Sequence, residues 1–177
     1  MRYIKEKDFK DKYNWVTVLG AFDHLHEGHK HIIKRAFDFG NNVIVGIIKN
    51  RGAVPWGGEA RDIGYAEEYS KRFDNFKAYT DSLKKPYVLK EYNNEMSAGL
   101  DLCKRRMMGE FDAYVMSSKD MVNKHFAKLI EYFLKNFKAL GDVVIVEALK
   151  DENGRDYSSG DIRYREYLKE KYPNVPI

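Results

Sequence analysis

Cysteine is almost absent. Cys103 stands alone among 177 residues, so no disulfide can close within the chain, and the composition suits a reducing compartment. Long apolar runs are missing as well: no stretch approaches the roughly 20 residues that a membrane-crossing helix needs. The charged segment Met1–Asn14 bears no resemblance to a signal peptide. Neither sign of charge dominates. The net +4 favours small polyanions, yet it is too weak and dispersed to argue for nucleic acid. Repeats, linkers and low-complexity tracts are also lacking. These absences lead us to expect one cytoplasmic domain over residues 1–177, with residues 1–14 as a polar N-terminal extension. No nucleic-acid or membrane partner is expected, and the oligomeric state stays open.

What is present is ordinary for a globular protein, with 44% hydrophobic and 33% charged residues, so the pattern rather than the composition carries the information. Short apolar runs alternate with helical periodicities. This predicts a single Rossmann-like, doubly wound α/β domain: a parallel sheet of about five strands with flanking helices. The expected strands are Trp15–Gly20, Asn42–Ile48, Pro86–Glu91, Asp112–Ser117 and Asp142–Leu149. Helices are expected over Gly28–Phe39, within Arg61–Leu83, and over Ser97–Met108, Ser118–Leu140 and Ser158–Glu170. In such a fold the ligand lies at the carboxyl ends of the strands.

Four of the five histidines fall within His24–His31, in the turn between the first strand and the first helix. A strand, a glycine-bearing turn and a helix start together make an anion site, because free N–H groups and the positive end of the helix dipole converge there. Gly20, Ala21 and Phe22 would offer backbone contact to a nucleotide. Gly28 would let a phosphate approach the helix, and His26 and His29 would donate to its oxygens. The bland alternative is a capped helix with solvent-facing histidines. Zinc is a weaker alternative: His29 and His31 point about 200° apart on a helix, and no second ligand cluster completes a tetrahedron.

A second candidate is Tyr157–Arg163, after the fifth strand. Ser158 and Ser159 are N-cap candidates whose hydroxyls and amides suit an anion, and Arg163 in the first turn opposes the dipole unless an anion sits nearby. Taken alone, this segment reads as a capped surface helix.

His26-x-Gly28-His29 at the first turn, with Ser158-Ser159-x-x-Ile162-Arg163 opening the last helix, resembles the nucleotidylyltransferase superfamily. Within it, the chain is most similar to the archaeal and eukaryotic type of phosphopantetheine adenylyltransferase. That family carries Gly-Thr-Phe-Asp-x-Leu-His-x-Gly-His-Lys, matched by Gly20–Lys30 except at Ala21. Val115-Met116-Ser117 resembles the end of its fourth strand, and Asn153-Gly154 with Tyr157–Arg163 its last turn and helix. Ala21 and Gly160 depart from family threonines, and Trp56–Phe76 matches its substrate-side region poorly.

The resemblance implies transfer of AMP from ATP to 4′-phosphopantetheine, with magnesium accompanying the triphosphate. His29 is then the donor to the α-phosphate, flanked by His26. Ser158, Ser159 and Arg163 hold the β- and γ-phosphates, and Ser117 joins the nucleotide contacts. Lys49 and Arg51 are candidate ligands for the acceptor's phosphate. An acceptor phosphomonoester, with a second pKa of about 6, is largely dianionic at neutral pH and needs no general base. The alternatives are an FMN adenylyltransferase, a cytidylyltransferase, or a nucleotide-binding protein without turnover. The Arg-Thr-x-Gly-x-Ser-Thr segment usual in the superfamily's cytidylyltransferases is absent here, which favours adenine.

Overall fold

The structure is a computed structural model; it describes residues 2–50, 67–119, 141–157, 159–171 and 173. Its frame is a parallel sheet of six strands in the order β1-β6-β5-β2-β3-β4. The strands are β1 (Tyr3–Lys5), β2 (Tyr13–Gly20), β3 (Gly40–Ile48), β4 (Val88–Tyr92), β5 (Ala113–Ser117) and β6 (Asp142–Val146). Helices α1 (Glu27–Phe39), α2 (Tyr69–Ser82), α3 (Glu95–Met107) and α4 (Ser159–Lys171) complete the described elements. Both faces of a parallel sheet are covered, which is why β3 reads as a nearly unbroken apolar run. Val43, Val45 and Ile47 join Val16, Val18, Val115, Val144 and Val146 in one core, with Ile33, Ala36 and Phe37 of α1 packed on it.

The sheet has one strand more than the sequence pattern predicts. Residues Tyr3–Lys5 pair with Val143–Ile145 at the edge. Three residues are too few to show a period, so the signal is tertiary: Arg2 reaches both oxygens of Asp142, with Nη2 at 2.6 Å, and the Tyr13 hydroxyl donates to the same carboxylate at 2.8 Å. Boundaries also shift. β3 begins at Gly40, directly where α1 ends, and β6 stops at Val146 rather than Leu149. Beyond Val146 the backbone leaves the ladder, because Ala148 N–H donates to Ser118 Oγ at 3.0 Å and Leu149 accepts from Tyr157 N–H at 3.3 Å. The predicted helix over Ser118–Leu140 lies outside the described residues except for its first two. Among the described residues, no helix is long and apolar enough to cross a membrane.

Gly141, directly before β6, has a steric duty. A Cβ there would lie 1.9 Å from the Asp112 carbonyl oxygen, which is backbone and accepts the Asp142 N–H at 2.8 Å. Gly141→Ala is therefore expected to destabilise the fold by about 2–3 kcal/mol through forced separation of β5 and β6. A urea midpoint equal to that of the parent protein would contradict this.

The strand order places the functional region. From β2 the chain winds outward through β3 to β4, then returns to lay β5 and β6 on the other side of β2. The strands that follow β2 and β5 lie on opposite sides of this pair, and such a switch point opens a crevice at the carboxyl ends of the strands.

Candidate functional site

The turn that follows β2 is built by buried contacts on every side. Phe22 and His24 both have left-handed backbones, with φ of 48° and 45°. Non-glycine residues hold that conformation at a cost of about 1 kcal/mol or more each, so the surroundings must impose it. Phe22 is buried and stacks on Phe76 at 4.5 Å. Buried Asp23 accepts the Glu67 N–H at 2.8 Å, and Glu67 Oε2 accepts the His24 N–H at 2.7 Å.

Arg72 of α2 then ties this turn to its neighbours. The residue is only 4% exposed, and its guanidinium donates to the carbonyls of Ala21 (2.7 Å), Ile48 (3.0 Å) and Lys49 (2.6 Å), and through Nε to that of Glu67 (3.1 Å). One side chain thus fixes the carboxyl ends of β2 and β3 together. Burial pulls its pKa down, opposed by the charges of Asp23, Tyr69 and Glu67. Sequence reasoning missed Arg72: one arginine among the charges of an amphipathic helix carries no local mark of burial.

At the start of α1, His26 is the N-cap in extended conformation, and its Nδ1 accepts a long hydrogen bond of 3.4 Å from the His29 N–H. An acceptor nitrogen requires the neutral ring with its proton on Nε2. The two imidazoles stack at 3.8 Å, and His26 stacks in turn on Tyr157 at 6.0 Å. Gly28 makes this stack possible, since a Cβ there would lie 3.0 Å from Tyr157 Cβ and 3.1 Å from the His26 ring. Its lack of a side chain thus serves packing. Burial, chiefly, and then the ammonium of Lys119 push His26 down from 6.5 to about 4, with Asp23 and Glu27 opposing.

The depressed pKa couples His26 to stability. Between pH 4 and 6.5 the unfolded chain protonates this histidine while the folded one does not, so stability rises with pH and is lost as pH falls through that window. His26→Asn keeps a side-chain cap and is expected to flatten that part of the stability–pH curve. An unchanged slope between pH 4 and 6.5 in urea titrations would count against it.

A cavity of ≈ 180 Å³ opens at the switch point, lined by Leu19 and Gly20 of β2, Ala21, Phe22 and Asp23 of the turn, His29 and Ile32 of α1, and Tyr114, Val115 and Met116 of β5. His29 faces it, with the Phe22 ring edge-on at 5.5 Å. Ser117 ends β5 beside it, and its Oγ accepts the Lys119 N–H at 3.2 Å. Gly20, Ala21, Phe22, His26, Gly28, His29 and Ser117 therefore lie at or beside one crevice. Ser158 and Arg51 lie outside the described residues. The backbone of Ser159 and Arg163 belongs to the first turns of α4, and their side chains are not among those described. Lys49, just past β3, is bonded through its ammonium to Glu91 at 3.1 Å. Glu91 also accepts from the Tyr69 hydroxyl, whose ring lies 5.2 Å below the Lys49 ammonium. Among the described residues, no three His, Cys, Asp or Glu side chains are grouped to hold a metal ion.

The family model of cytidylyltransferase-like proteins matches residues 17–165, which contain every residue lining the crevice. The chain belongs to the cytidylyltransferase-like family. As such it is a nucleotidyltransferase-type α/β protein, and its curated relatives sharpen the likeness locally. It is 47% identical over 38 residues to a phosphopantetheine adenylyltransferase of Pyrococcus furiosus, covering 22% of this chain and 24% of that protein. It is 38% identical over 48 residues to the enzyme of the same name from Methanothermobacter thermautotrophicus, covering 27% and 29%. These matches span about a quarter of each relative. Among solved structures, a pantothenate synthetase of Thermus thermophilus superposes with a TM-score of 0.63 at 14% identity, over 98% of this chain and 71% of that one. A pantoate-β-alanine ligase of Francisella tularensis gives 0.53 at 16% identity, over 84% and 64%. At such identities the likeness speaks for the fold alone. Lys119, which no motif assigned, meets Tyr157 of the second candidate segment, its ammonium donating to the Tyr157 carbonyl at 3.3 Å.

Proposed function

We propose that this protein transfers AMP from ATP to a small phosphorylated acceptor, with 4′-phosphopantetheine the first candidate, releasing pyrophosphate and forming dephospho-coenzyme A. The observation that carries the reading is His29, which faces the β2/β5 crevice from the first turn of α1, braced by the stacked His26. The local likeness to two phosphopantetheine adenylyltransferases supports the choice of acceptor.

In this reaction an acceptor phosphate oxygen forms a bond to the α-phosphorus as the bond to the bridging oxygen of pyrophosphate breaks. The electron pair leaves with pyrophosphate. The acceptor is already ionised, so the protein has no proton to remove. Its contribution is alignment and neutralisation of charge on the five-coordinate phosphorus. His29 donates to the α-phosphate oxygens, and the free N–H groups at the start of α1 face the same charge. Ser158, Ser159 and Arg163 are assigned to the β- and γ-phosphates, and Ser117 to the nucleotide. Lys49 and Arg51 are assigned to the acceptor's phosphate, for which Lys49 must exchange its Glu91 partner. Magnesium enters as part of the substrate, MgATP, coordinated by phosphate oxygens.

The test is pyrophosphate release from ATP and magnesium with 4′-phosphopantetheine, FMN or no acceptor, and with CTP in place of ATP. Release only with ATP and 4′-phosphopantetheine is the expected result. Release with FMN, or from CTP, would reassign the substrate. Silence throughout, with tight ATP binding, would favour a nucleotide-binding protein without turnover.

A further inference from the structure

Of the lysines Lys30, Lys49 and Lys119, two are already paired with carboxylates. Lys30 pairs with Glu27 at 2.7 Å and Lys49 with Glu91 at 3.1 Å. Lys119 differs. Its ammonium donates to the Tyr157 carbonyl at 3.3 Å, and among the described residues no carboxylate lies within ion-pair range of it. It stands two residues beyond the end of β5, with its own N–H on Ser117 Oγ. Tyr157 in turn stacks on His26, which stacks on His29. The end of β5, the segment leading into α4 and the start of α1 thus meet around one lysine.

That placement is electrostatically unfavourable by itself. The start of α1 is the positive end of its dipole, and a cation beside it is repelled. The same ammonium also disfavours a second positive charge on half-buried His26. Asp23 and Glu27 offset part of that positive charge, and an anion held between the end of β5 and the start of α1 would offset the rest.

We infer that Lys119 is a ligand of the β- and γ-phosphates of the bound nucleotide, reaching them from the β5 side while His29 holds the α-phosphate from α1. The inference rests on the function proposed above. The carbonyl of Tyr157 holds the lysine stem toward α4 and satisfies one of three ammonium donors, leaving two for phosphate oxygens. As pyrophosphate leaves, Lys119 stays with the departing group, so it acts on the leaving side of the reaction.

Calorimetric titration of the full chain with ATP, inorganic tripolyphosphate and AMP tests this in three forms: parent, Lys119→Met and Lys119→Arg. Loss of a charged donor to phosphate is expected to weaken ATP and tripolyphosphate binding about 10-fold or more. AMP binding should be unchanged, and Lys119→Arg should bind close to the parent. In the free Lys119→Met protein, NMR titration should show His26 protonating at higher pH, which also demonstrates that the variant is folded. Equal tripolyphosphate affinity in parent and Lys119→Met would overturn the inference and leave the proposed function standing. An equal loss for AMP would overturn it too, because the lysine would then act on the nucleoside end or on folding. A parent protein that binds neither ATP nor tripolyphosphate would overturn both readings.

Discussion

Replacing His29 with alanine is expected to cut pyrophosphate release by about 100- to 1,000-fold, the usual cost of one preorganised donor to a transition-state oxyanion. ATP affinity should change far less, because the donor matters most when charge builds on the five-coordinate phosphorus. The geometry supports this separation. His29 lines the cavity, whereas its partner His26 sits behind it as N-cap and stacking surface. Removing the His29 ring leaves the cap in place, since His26 bonds the backbone N–H of residue 29 rather than its side chain. Single-turnover rates and equilibrium ATP titration on the same variant measure the two quantities. A rate within a few-fold of the parent would remove His29 from the mechanism.

The largest stability effect is expected at Arg72. Arg72→Met would strip the partner from four carbonyls, those of Ala21, Ile48, Lys49 and Glu67, around a group that is 4% exposed. Some of that loss is offset, because a buried charge is removed along with its desolvation cost. With buried unsatisfied acceptors at about 1–3 kcal/mol each and partial relaxation, a net loss near 3 kcal/mol is expected. In a chain of this size that lowers Tm by roughly 6–12 °C. Arg72→Lys should recover little, since an ammonium cannot fan its donors across four carbonyls on two strand ends and a loop. A lysine variant as stable as the parent would show that charge, not the planar fork, is what the position needs. Activity should fall in both variants, because Ala21 and Lys49 belong to opposite ends of the proposed site.

The sequence was most legible where local chemistry is self-contained. The β2–turn–α1 unit could be placed because an apolar run, a glycine-bearing histidine cluster and an amphipathic helix follow one another directly. β3 and β5 were equally plain, as buried parallel strands leave unbroken apolar runs. β1 was not legible. Its three residues include two exposed ones and pair only because Val143–Ile145 of β6 come alongside, some 140 residues later. Asp23 was similarly opaque. It looked like part of a motif, yet its carboxylate is buried and spends itself on the Glu67 N–H.

By itself, then, the sequence determined the α/β class, the position of the histidine-bearing turn between β2 and α1 and the family, because these follow from periodicity and short-range spacing. The tertiary structure alone decided that β2 and β5 lie side by side with a crevice at their ends, that Arg72 bridges two strand ends, and that Lys119, Tyr157, His26 and His29 share one corner. Those facts depend on strand order and on contacts between residues tens of positions apart. The free energy of such contacts comes from packing and electrostatics in the folded chain, and a local pattern of side chains carries no record of it.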